Sequence, residues 1–106
     1  MSTKQDHYNK GLDLFGEGKH EEAIAEYRKA LEVDPDDGEI HMAISMSYQQ
    51  MGNLDQALEA ARKAVELEPR EPLMYTNLSR IFVKKGMIPE AEEAMAISRQ
   101  ISMRMM

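Results

Sequence analysis

Three groups of ionisable side chains have types and spacing that chemistry could use. His7 and His41 share one slot of a repeating pattern, which stacks them one unit apart. Zinc needs more nitrogen, sulfur or carboxylate ligands than this pair supplies, and no carboxylate is expected on their face. The run Asp34, Asp36, Asp37, Glu39 suggests calcium, but it lacks the regular alternation of an EF-hand loop. It reads as a turn followed by a helix start, where negative charge is favourable. Glu21, Glu22 and Glu26 with Arg28 and Lys29 read as a solvated helix face. Each i,i+4 pair there contributes roughly 0.2–0.5 kcal/mol. The chain has no cysteine, no glycine-rich phosphate loop and no serine in a strand-to-helix turn. Nothing assembles a nucleophile with a tuned acid or base, so neither an enzyme nor a cofactor or metal protein is expected.

The 106 residues suffice for one small domain with one continuous core. A net charge of −6 and a pI near 5.0 oppose nucleic-acid binding, which begins with a basic footprint. The acidity favours a neutral or basic partner. No basic leader with an apolar run opens the chain, and no stretch approaches the apolar length of a membrane span. Membrane insertion is not expected, and the cytoplasm is the expected location.

The elements that position these side chains come from an internal repeat. The shift that lays Gly18 on Gly52 also lays Gly52 on Gly86, and Ala23 on Ala57 and then on Ala91. In the same register Pro35 falls on Pro69 and Ala30 on Ala64, and positions 23–35 overlie 57–69 without a gap. The glycines stand where the chain reverses and a positive φ is needed. The alanines sit where two antiparallel helices approach closely. The prolines follow the second helix of each unit and stop it. Leu14, Tyr48 and Phe82 share one slot, and His7, His41 and Tyr75 share another on the same helical face. The pattern predicts six helices at about 3–16, 20–33, 38–50, 54–67, 72–84 and 88–103, with Asp37 and Asn53 as N-caps.

These slots resemble the tetratricopeptide repeat. Gly11, Ala23, Tyr27 and Pro35 match it in the first unit, Tyr48, Ala57 and Pro69 in the second, and Tyr75, Leu78, Phe82 and Ala91 in the third. Departures are Lys10 for leucine, Ala61 for the large aromatic, and Ser98 with Arg99 where the first unit has Ala30 and Leu31. The resemblance implies an all-α, right-handed superhelical solenoid of three antiparallel helix pairs, with repeats at about 4–37, 38–71 and 72–105 in a single domain. It also implies that the first helix of each pair lines a concave groove that binds protein or peptide.

The groove stripe predicted on that basis is Gln5, Tyr8, Leu12 and Phe15, then Glu39, Met42, Met46 and Gln49, then Leu73, Thr76, Arg80 and Val83. Its apolar content suits an apolar or amphipathic segment, and methionine adapts to varied shapes. Relatives that grip the C-terminal carboxylate of heat-shock chaperones use lysine, asparagine and arginine at five slots. Here those slots hold Tyr8, Leu12, Ala43, Leu73 and Asn77, so that partner is not expected. The alternative role is a self-associating scaffold. Arrays of this kind normally end in an extra covering helix, and Ile97, Ile101, Met103, Met105 and Met106 read as uncovered apolar surface. A second copy or another protein docks there, unless the natural chain continues or the tail frays.

Overall fold

The computed structural model describes residues 2–105. It contains six α-helices: α1 Lys4–Gly16, α2 His20–Val33, α3 Gly38–Met51, α4 Leu54–Leu67, α5 Pro72–Lys84 and α6 Ile88–Arg104. There is no strand among the described residues. Helices pair as α1 with α2, α3 with α4 and α5 with α6, and the pairs stack through α2 on α3 and α4 on α5.

One turn joins the two helices in every pair. Gly18, Gly52 and Gly86 have φ of 79°, 80° and 77°, the left-handed region open to glycine. The next amide closes the turn, donating from Lys19 to Leu14 (2.9 Å), Asn53 to Tyr48 (2.9 Å) and Met87 to Phe82 (2.8 Å). This turn overrides the predicted Asn53 cap. It leaves Asn53 at ψ 74°, short of the extended conformation that aims a capping side chain, and no cap bond forms. Asp37, in the looser turn between pairs, is extended and caps α3 through the amides of Glu39 and Ile40.

Proline ends the second helix only where it is present. α2 and α4 stop ahead of Pro35 and Pro69, whereas Met103 occupies the equivalent slot in α6 and that helix runs on to Arg104.

The core forms two linked clusters. Ala23, Tyr27, Ala30, Ile40, Ala43 and Ile44 pack at the seam of the first two pairs. Ala57, Leu58, Ala61, Ile81, Phe82, Ala91 and Ala94 pack at the second seam, and Tyr48 touches both clusters. The unit interior differs between pairs. A Cβ added to Gly11 would lie 2.4 Å from Tyr27 Cε1, so the aromatic ring fills the space of a side chain. In the later pairs Ser45 and Ser79 occupy that slot, and their hydroxyls donate to the carbonyls of Ala57 (2.9 Å) and Ala91 (2.8 Å).

Candidate functional site

The predicted groove residues divide by slot. At the slot of Phe15, Gln49 and Val83, burial differs from pair to pair. Phe15 packs on the cluster containing Ile40 and Ile44 of α3, with its edge against the His20 ring (centroids 5.0 Å apart). Gln49 is buried, which removes it from any groove. Its amide donates to Asn77 Oδ1 (2.8 Å), and Asn77 donates to Ser45 Oγ (3.2 Å). A buried amide needs such partners, and α5 supplies them. Val83 is in the last pair and remains 54% exposed.

At the next slot Tyr8 is half-buried beside Tyr27, with centroids 5.9 Å apart. Met42 is half-buried, and Thr76 bonds inward to the Pro72 carbonyl (3.2 Å) and to Ser98 Oγ (3.0 Å). Ser98 is therefore no packing defect. It fills the small-residue slot of Ala30 and Ala64, and its hydroxyl, 3.1 Å from the Pro72 carbonyl, shares that acceptor with Thr76. Leu12 is 43% exposed, Met46 half-buried and Arg80 exposed, while Leu73 is 62% exposed. Gln5 and Glu39 are exposed and line a cleft of about 240 Å³ with Lys4, Tyr8, Asp37 and Ile40. Lys4 bridges Asp34 (3.1 Å) and Asp37 (2.9 Å), tying α1 to the turn between the first two pairs.

Glu26 departs from the expected solvated face. It is 6% exposed, and its carboxylate accepts from His7 Nδ1 (2.9 Å) and Lys29 Nζ (3.2 Å), with Lys10 Nζ at 3.6 Å. His7 thus has the carboxylate partner that the sequence did not suggest. The His7 hydrogen bond, reinforced by Lys29 and Lys10, overcomes burial and lowers the Glu26 pKa from 4.5 to about 2. Glu26 is followed at the same slot by Ala60 and Ala94, and nothing in that series announces a gripped carboxylate. Tyr27 is pushed the other way, to about 12, chiefly by burial.

A cleft of about 610 Å³ opens between α2 and α4 over α3, on the side of the second helices. Leu31, Ile44, Tyr48 and Ala60 give it apolar surface, and Arg28, Arg62 and Lys63 give it cations. Arg28 donates to Tyr48 Oη (2.7 Å), and Arg62, at the equivalent slot of the second unit, lies 5.9 Å from the centre of the Phe82 ring. Sequence reasoning missed this cleft. The residues of the predicted docking end sit on α6: Ile97 and Ile101 are half-buried, while Met103 and Met105 are 71% and 70% exposed. Met106 lies outside the described residues.

Among the described residues, no cluster of side chains could hold a metal ion, and no helix is long and apolar enough to cross a membrane.

A family profile described as tetratricopeptide repeat matches residues 14–75, more than half of the chain. No curated protein matches the sequence. Among solved structures, the Yersinia enterocolitica type III secretion chaperone SycD, in complex with a peptide of the translocator YopD, is similar with a TM-score of 0.86 and 20% identity. That match covers 92% of this chain and 74% of SycD. The second TPR of Spaghetti (RPAP3), bound to the HSP90 peptide SRMEEVD, gives a TM-score of 0.87 at 18% identity, covering 94% and 93%. MamA gives 0.91 at 20% identity over 96% of this chain but only 60% of its own. At these identities the likeness is one of fold. Tetratricopeptide folds generally serve as non-catalytic modules for protein interaction. The period, the glycine turns, the stacked pairs and the matched profile agree: this chain belongs to the tetratricopeptide-repeat family.

Proposed function

We propose that the protein is a non-catalytic binding module that takes an apolar or amphipathic segment of another polypeptide against the wall formed by α1, α3 and α5. The observation that carries this reading is the exposure of Leu12, Leu73 and Val83, three large apolar side chains on α1 and α5. Half-buried Met42 and Met46 stand on α3. Water-exposed apolar groups on these helices favour a visiting chain, and each one buried contributes about 1.5 kcal/mol or more. After the losses of association, micromolar affinity is expected. The peptide complexes of SycD and Spaghetti support the general role. The five carboxylate-clamp slots lack any cation, and Ala43 and Asn77 among them are buried, so a heat-shock C-terminus is not the proposed partner.

Peptides selected from a displayed library test the reading. Binders should be apolar or amphipathic, and Leu12→Glu with Leu73→Glu should weaken them by about tenfold or more while circular dichroism stays helical. Unchanged binding by the double variant would sink the proposal. Met103 and Met105 support a second reading, self-association through α6. It predicts a mass that rises with concentration in light scattering, where the first predicts a constant monomer.

A further inference from the structure

The chain contains its own precedent for what the large cleft holds. In the first pair, Glu26 is gripped by His7, Lys29 and Lys10. One repeat later, these four positions become Ala60, His41, Lys63 and Ile44, and all four line the 610 Å³ cleft. Two of the three gripping positions thus keep a basic side chain, while the carboxylate is deleted to a methyl group. In the third pair the same positions are Ala94, Tyr75, Ile97 and Leu78, so both halves of the arrangement are gone.

We propose that this cleft binds a glutamate or aspartate side chain carried by a partner peptide, which takes the seat that Glu26 occupies in the first pair. The site is distinct from the α1, α3, α5 wall and does not depend on it. His41 Nε2 bonds to the Pro35 carbonyl (3.0 Å), while Nδ1, the atom by which His7 holds Glu26, has no partner among the described residues. Lys63 is held only loosely by Glu66, at 3.8 Å on the exposed surface. Arg28 and Arg62 add positive charge at the same opening, against Glu59 and Glu66, within a chain of net charge −6. A basic opening in an acidic molecule steers an acidic segment to one place. Half-buried Leu31 and Tyr48 offer apolar surface to a neighbour of the incoming carboxylate, which selects a peptide over a free acid.

The probe is a capped, fluorescent peptide with one glutamate flanked by leucines, compared with its glutamine analogue. The glutamate peptide should bind about tenfold more tightly than the analogue, because charge-assisted hydrogen bonds are the stronger kind. Lys63→Met should lower its affinity by a similar factor. Ala60→Glu should abolish binding, since the chain then fills its own seat as it does in the first pair. Amide shifts should cluster at Ile44, Ala60 and Lys63, and the Leu12→Glu, Leu73→Glu variant should bind the probe normally. The proposal is overturned if both peptides bind equally, if neither binds at about 1 mM, or if the shifts fall at Leu12 and Leu73. Acetate displacing the peptide at equal concentration would also overturn it, because the apolar floor would then contribute nothing.

Discussion

Positions 26 and 27 are Glu and Tyr in the first helix pair, whereas the equivalent positions 60 and 61 in the second are both Ala. The two pairs share a fold and a turn, yet their interiors are solved differently. In the first, Tyr27 fills the space that Gly11 leaves empty. In the second, Ala61 leaves that role, and Ser45 supplies a Cβ and a hydroxyl that ties α3 to the Ala57 carbonyl. The first seats its own carboxylate among three basic groups, while the second opens as a cleft. A repeat therefore constrains total volume and polar satisfaction at a slot pair, not the identity of either residue.

The largest effect should come from disturbing the first pair's interior. Tyr27→Ala should cost about 3–5 kcal/mol in urea denaturation, since it empties a fully buried aromatic site. Adding Gly11→Ser should recover at least about 1 kcal/mol, because the side chain then fills part of the vacated space and mimics Ser45. Strict additivity of the two changes would break the comparison between the pairs.

Glu26→Ala should be next, at about 2–3 kcal/mol near neutral pH, since it strands His7 and Lys29 beside a lost partner. The folded pKa of Glu26 is depressed, so its contribution is fully present above the ordinary value of 4.5. It is lost as pH falls from 4.5 towards about 2. The melting temperature of the wild type should fall more steeply over that interval than that of Glu26→Ala. Equal slopes would show that the carboxylate is not held as described.

The smallest contrast lies in the turns. Asp37→Ala should cost about 1 kcal/mol, because it removes a cap that serves two amides. Asn53→Ala should change thermal stability by less than about 0.5 kcal/mol, since its side chain caps nothing. A large loss at Asn53 would contradict the glycine-turn account.

Much of the architecture was legible before any coordinates. The glycine, alanine and proline marks located every helix closely, and the paired stacking followed from the period that carries Gly18 onto Gly52 and Gly86. The candidate wall was read less well. Leu12, Leu73 and Val83 are exposed, whereas Gln49 is buried and Phe15 and Tyr8 are partly claimed by the core. Periodicity assigns a residue to a face of its own helix, and it does not say which neighbouring helix arrives to cover that face.

Local physics determined the elements from the sequence alone, because a positive φ, a proline stop and a helical apolar period act within a turn or two of chain. Only the tertiary structure decided the fate of the polar side chains. Whether Glu26 is solvated or gripped, whether Gln49 faces a groove or Asn77, and whether Ala60 is packed or opens a cleft all depend on groups carried by other helices. Hydrogen bonds and charge pairs form by distance in space, which a one-dimensional pattern leaves free.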